Sequence, residues 1–143
     1  MNKIRLSTEE IKYITLFETL TGARVKDCVH NENAMGFLID RGDMGLAIGR
    51  NGSNIEKVRS VIGKGVWVME FSDELNEFVR NLFHPVDIRQ IISHKSNDGK
   101  MVIVEVSKRD RKKVIGHNGG RIKIAKKLAK RHFNIDDIKI RTV

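Results

Sequence analysis

Apolar residues in this chain recur at helical spacing, then alternate, and the chain runs through that order twice. Ile11, Ile14, Phe17 and Leu20 fall three residues apart behind Ser7-Thr8-Glu9-Glu10, a capping-box pattern, and Gly22 closes the helix they predict. Val25 to Val29 and Ala34 to Asp40 read as strands, with the polar turn Asn31-Glu32-Asn33 between them. Asp43 is expected to cap a short helix that ends at Gly49. A second helix, from after Gly52 to about Gly63, should turn Ile55, Val58, Val61 and Ile62 inward. Val66 to Phe71 then predicts a strand.

The second half repeats this order. Ser72-Asp73-Glu74 supplies an acidic start for a helix with Leu75, Phe78, Val79, Leu82 and Phe83 on one face, stopped by Pro85. Strands are expected at about 86–94 and 100–107, joined through Asn97-Asp98-Gly99. Asp110 opens another short helix, 116–119 form a loop, and a long helix runs to about Phe133. Ile122, Ala125, Leu128 and Ala129 make its buried stripe, while Arg121, Lys123, Lys126, Lys127, Lys130 and Arg131 are expected to face outward. Ile138 and Ile140 alternate along a last strand. The pattern predicts an α+β protein of two domains, 1–72 and 73–143, each ordered α-β-β-α-α-β. Almost no residues separate the first domain's last strand from the second's first helix, which implies a fixed relation between the two.

The repeat is sharpest at two loops. Ile48-Gly49-Arg50-Asn51-Gly52 and Ile115-Gly116-His117-Asn118-Gly119 stand 67 positions apart, each with an Asp five residues before its isoleucine and Ile55 or Ile122 after it. A glycine pair around two polar residues gives a turn without Cβ atoms at its corners, so backbone amides can come close to an anion.

Charge adds to that reading. Of 27 Lys/Arg and 18 Asp/Glu, residues 1–72 hold 10 and 9, leaving 17 and 9 for 73–143. The excess is concentrated between 108 and 131, where eleven basic side chains face the single acid Asp110. An isolated Lys-rich helix is often only a solvated face; a basic run wrapped around a glycine loop favours a polyanionic partner. Together these features predict a tandem of nucleic-acid-binding modules.

Val114-Ile115-Gly116-His117-Asn118-Gly119-Gly120-Arg121-Ile122-Lys123 closely resembles the KH signature V-I-G-x-x-G-x-x-I-K. The first copy departs from it at Ala47 and Glu56. The element order resembles the type II, prokaryotic KH arrangement, and a chain of two abutting type II KH modules is similar to the archaeal NusA-like family. That resemblance implies two three-stranded sheets covered by helices. It also implies binding of single-stranded RNA in transcription termination or antitermination. By the resemblance, RNA would be held at Ile48, Gly49, Arg50, Asn51 and Gly52, and at Ile115, Gly116, His117, Asn118 and Gly119. Arg111, Lys112, Lys113, Arg121 and Lys123 would add attraction to phosphate. Ile48, Ile55, Ile115 and Ile122 would lie at or behind the floor of a base-binding groove, or equally in the core.

Other chemistry finds little support. Eight aromatic residues, 6% of the chain, argue against a surface that stacks bases on aromatic rings, and Trp67 is expected in the core. Cys28 stands alone, reads as a strand core residue and cannot form an internal disulfide. The five histidines show no ligand spacing, so neither metal nor cofactor is expected. Gly63-Lys64 is followed by Gly65, not Ser/Thr, so it is no P-loop, and no enzyme is expected. The N-terminus lacks an apolar leader pattern, and the expectation is a cytoplasmic monomer without membrane contact. Two rivals stay open: a ribosome-associated or assembly RNA-binding factor, and a KH-type protein-interaction module whose nearly neutral first half docks on RNA polymerase.

Overall fold

Ser7 begins the first helix as its sequence context predicts. In the computed structural model, which describes residues 4–143, Ser7 Oγ accepts the Glu10 amide at 3.1 Å. The Ser7 amide donates in turn to Glu10 Oε1 at 3.0 Å. The helix, α1, spans Thr8–Thr21 and ends at Gly22 in the left-handed conformation, φ 78°. It buries Phe17, whose ring centroid stands 4.5 Å from that of Phe37. Ile11, although at the same helical spacing, is 52% exposed. The face that packs is set by Phe17 and Thr21, and Ile11 lies off it.

Strands β1 (Val25–His30), β2 (Ala34–Ile39) and β3 (Gly65–Glu70) form a sheet in that order, the first pair antiparallel and the second parallel. Two parallel neighbours require a crossover, because a tight hairpin cannot join them. Helices α2 (Met44–Ile48) and α3 (Ser53–Ile62) supply it, and the first glycine loop is the joint between them. Phe17, Phe37, Ile39, Ala47, Ile55 and Val58 meet in the core beneath. Burial of side chains of this size stabilises a fold by about 1.5–3 kcal/mol each. Cys28 is fully buried within β1, as expected of a core residue. Val61, expected inward, is 59% exposed, and Ile62 is half-buried. The buried face of α3 is set by Ile55 and Val58, and the helix ends at Gly63. Trp67 is half-buried, paired in register with Gly36, and so is neither full core nor an open platform.

The chain parts into two compact units between Ser72 and Asp73. In the second, α4 (Leu75–Leu82) starts at Glu74, whose carboxylate accepts the amides of Asn76 and Glu77 at 3.1 and 2.7 Å. Strands β4 (Ile88–Ser96), β5 (Gly99–Val106) and β6 (Asp137–Thr142) repeat the sheet order and strand directions of the first unit. α5 (Arg111–Ile115) and α6 (Gly120–Phe133) repeat its crossover. Even an irregularity recurs, because the pairing of the first hairpin shifts between Val25 and Asp27 and that of the second between Ile88 and Gln90. The second hairpin is the longer, 19 residues from Ile88 through Val106 against 15 from Val25 through Ile39.

Candidate nucleic-acid interface

Both loops adopt one backbone conformation. Gly49 has φ 76° and ψ 173°, Asn51 φ 54° and ψ 30°, Gly52 φ 76° and ψ 14°. The corresponding pairs are 78° and 174° at Gly116, 53° and 29° at Asn118, 73° and 14° at Gly119. Matching angles agree within 3°. Asparagine at the left-handed position is tolerated because its short polar side chain is the least penalised there after glycine.

The two glycines of each loop are needed for different reasons. The first lies in a region of positive φ and extended ψ that is essentially closed to other residues. A Cβ on Gly49 would stand 2.8 Å from the Asn54 backbone nitrogen, and one on Gly116 2.8 Å from that of Arg121. The first turn of the following helix therefore rests on each of these glycines. The second glycine supplies a left-handed turn where a Cβ would make only ordinary van der Waals contact. The nearest atom to a Cβ on Gly52 is Ile55 Cγ2 at 3.9 Å, and to one on Gly119 is Lys123 Cε at 3.7 Å.

Within the loops, the Gly52 and Gly119 amides donate to the Gly49 and Gly116 carbonyls, both at 3.1 Å. Among the described residues, no backbone carbonyl takes the amides of Arg50 and Asn51, or of His117 and Asn118. All four side chains are exposed, and Asn118 Nδ2 lies 3.3 Å from His117 Nε2. Neither α3 nor α6 has a side-chain cap at its start. Each loop thus offers two amides that no backbone carbonyl takes, followed by a helix whose start has no side-chain cap.

Arg121 requires a correction. Expected on the outer face of α6 as a phosphate contact, it is 6% exposed. Its Nη1 donates to the Lys113 carbonyl and its Nη2 to the His84 carbonyl, each at 3.0 Å. Burial pushes its pKa down to about 10, so it remains a cation at neutral pH. The reason for its burial is local: Arg121 opens the helix turn that lies on Gly116. Asp110 opens α5 as expected, whereas Asp43, expected to cap α2, stands at the N-cap position without a side-chain cap; Asp110 has none either. Asp43 Oδ2 accepts the Arg24 amide at 2.9 Å, tying α2 to the start of β1. Asp110 accepts the Ser107 hydroxyl at 3.0 Å and has Lys113 Nζ at 3.5 Å. These contacts, the Ser107 hydrogen bond foremost, hold its carboxyl below the ordinary range.

The other expected residues surround the loops. Arg111, Lys112 and Lys113 are exposed on α5, and Lys123 is exposed on the first turn of α6. Arg111, Lys112, Ile115, Gly116 and His117 line a cleft of ≈ 510 Å³. Ile115 is half-buried on its wall, whereas Ile122 is buried beneath. In the first unit, Ile55 belongs to the core and Ile48 packs partly against it. The two surroundings differ in charge. α2 carries no ionisable side chain and leaves Leu46 51% exposed, where α5 reads Arg-Lys-Lys. Glu56, standing where the second unit has Lys123, is paired with Arg59 at 2.7 Å. Sequence reasoning passed over Asn54, whose Nδ2 donates to the Leu46 carbonyl at 2.7 Å. Its place 67 positions before Arg121 was the available signal.

Comparison with known proteins agrees with this architecture. Residues 10–73 match the KH domain family, and residues 75–143 match the NusA-like second KH domain. A protein of Methanocaldococcus jannaschii described as a probable transcription termination protein NusA is 34% identical over 98% of this chain and 76% of its own length. One of Halobacterium salinarum with the same description is 35% identical over 96% of this chain and 98% of its own. The chain belongs to the archaeal NusA-like family of tandem KH proteins. The crystal structure of APE1850 covers 95% of this chain and all of its own, with 35% identity and a TM-score of 0.77. Membership places the chain among non-enzymatic factors. The expected α+β fold of two type II KH domains is the one found, with each glycine loop at the joint of a crossover. No helix among the described residues is long and apolar enough to cross a membrane.

Proposed function

We propose that this protein binds single-stranded RNA through both glycine loops and acts in transcription termination or antitermination in the cytoplasm, as a single chain. The observation that carries the reading is the repetition of one loop backbone to within 3°, each copy with two amides that no backbone carbonyl takes and a helix without a side-chain cap behind it. A phosphate diester supplies the acceptors those amides lack, and the helix dipole favours its charge. Gly52 and Gly119 keep the outer side of each turn open for the sugar-phosphate chain to approach. The exposed Arg111, Lys112, Lys113 and Lys123 attract phosphate without regard to sequence. If these and Arg50 each neutralise one phosphate, log K falls with log salt at a slope of about −3.5. The ≈ 510 Å³ cleft beside Gly116 gives bases an aliphatic wall at Ile115. The relatives' descriptions as probable transcription termination proteins support the cellular role.

A second reading gives the first module to a protein partner such as RNA polymerase. It is favoured by the uncharged α2 with Leu46 half exposed. One pair of variants tests both. Arg50→Asp with Asn51→Asp, and His117→Asp with Asn118→Asp, place carboxylates where phosphate is held. Loss of RNA binding at unchanged thermal melting in both supports the two-loop grip. Loss in the second pair alone assigns the first module to another partner, and retention in both refutes the proposal.

A further inference from the structure

A short helix that ends at a glycine leaves its last carbonyls without amide partners. In both modules one such carbonyl is taken by a side chain from the helix beyond the loop. Asn54 Nδ2 reaches the Leu46 carbonyl at 2.7 Å, and Arg121 Nη1 reaches the Lys113 carbonyl at 3.0 Å. Donor corresponds to donor and acceptor to acceptor across the 67-residue repeat. The chain therefore closes a ring each time: short helix, glycine loop, long helix, and back through a side chain to the short helix. Arg121 goes further than Asn54. Its Nη2 takes the His84 carbonyl at 3.0 Å, and its guanidinium carbon stands 6.0 Å from the centre of the Phe83 ring. The connection after α4, the end of α5 and the start of α6 thus converge on one buried cation.

We infer that Arg121 is a positioning residue, which fixes the second glycine loop in its RNA-binding conformation without itself touching RNA. The inference rests on the RNA-binding reading above. Burial leaves the side chain no face to offer a phosphate. What it holds is the joint at Gly116, from which His117 and Asn118 present their amides. A loop held before the ligand arrives loses less freedom on binding, and the affinity is correspondingly higher. The first module does the same with the neutral Asn54. The brace is therefore shared by both loops, while its charge is peculiar to the second.

The test compares Arg121→Met with Lys123→Met, using a single-stranded RNA oligonucleotide titrated over a range of potassium chloride concentrations. Arg121→Met is expected to weaken binding roughly tenfold, the effect of one or two extra groups immobilised on association. The salt slope should stay unchanged and amide exchange at Gly116 and Gly119, the hydrogen-bonded amides of the loop, should quicken. Exchange at Gly49 and Gly52, in the loop held by Asn54, should stay as in the parent protein. Lys123→Met is expected to make the slope shallower by about 0.7, one phosphate's share, with exchange unchanged. Arg121→Asn, which copies the first module's brace, should recover part of the affinity. If Arg121→Met does not fold, Arg121→Lys keeps the charge, gives up the fork between two carbonyls, and carries the same comparison. A slope made shallower by loss of Arg121 would mean a direct phosphate contact and overturn the inference. Quickened exchange with RNA affinity intact would also overturn it, leaving a purely structural role. If the parent protein binds no RNA, the RNA-binding reading itself fails. Exchange at Gly116 and Gly119 would then still show whether Arg121 holds the loop.

Discussion

Gly49→Ala and Gly52→Ala add the same methyl group at the two ends of one four-residue loop, and the structure assigns them unequal effects. At Gly49 the new Cβ would meet the Asn54 backbone nitrogen at 2.8 Å and Asn54 Cγ at 2.7 Å. The nitrogen belongs to the first turn of α3 and cannot swing aside as a side-chain tip would. The φ of 76° with ψ of 173° adds strain, about 1–3 kcal/mol for a residue other than glycine. Overpacking adds about 1–3 kcal/mol more, so the sum is roughly 2–6 kcal/mol of a total domain stability of about 5–15 kcal/mol. At Gly52 the nearest atom is 3.9 Å away and only the left-handed turn is penalised, at about 1–2 kcal/mol. Trp67 is the single tryptophan and lies in the first unit, so its fluorescence during urea unfolding follows that unit selectively. Gly49→Ala is expected to lower the midpoint strongly and Gly52→Ala modestly, while both weaken RNA binding. The reason differs: the first distorts the loop, and the second fills space reserved for the ligand. Equal midpoints, or a larger loss at Gly52, would refute this division of labour. So would full RNA affinity in Gly52→Ala.

Three further outcomes follow from the same geometry. Glu56→Lys gives the first module the cation that Lys123 gives the second; it should tighten RNA binding and steepen the salt slope by about 0.7, which titration at several salt concentrations would show. Asp136 accepts the Lys100 amide at 2.8 Å and Lys130 Nζ at 2.6 Å, and these contacts, Lys130 first, lower its pKa. A lowered folded-state pKa stabilises above the unfolded carboxyl value near 4 and is lost as pH falls through the folded value. Asp136→Asn should therefore flatten the acid side of a melting-temperature profile, and an unaltered profile would contradict it. Cys28 is fully buried, so a thiol reagent should label it only at the rate of unfolding; immediate labelling of the native protein would count against the core described here.

The sequence was most legible where local chemistry and repetition agreed. The capping box at Ser7 and Glu10, the stop at Gly22 and the strand pair around Asn31-Glu32-Asn33 are all present. Each depends on contacts within a few residues. The loops are legible for another reason, because two copies of one pattern mark each other. What stayed hidden depends on packing between elements. Helical period places Val61 and Leu128 at equivalent points of the repeat, yet Val61 is exposed and Leu128 buried, a difference that local periodicity does not record. By charge pattern, Arg121 is one more surface cation. Only the approach of α6 to Gly116 shows why a guanidinium fits there, and charge pattern carries no record of such an approach. The same holds for Asp43, which resembles a cap in sequence but serves the Arg24 amide across the fold.

The central claim concerns backbone amides, and an amide titration addresses it directly. Nitrogen-15 NMR spectra recorded while a single-stranded RNA oligonucleotide is added should show the largest shifts at Arg50, Asn51, His117 and Asn118, and in the first turns of α3 and α6. Shifts gathered elsewhere, with those loop amides unmoved at saturation, would contradict the account.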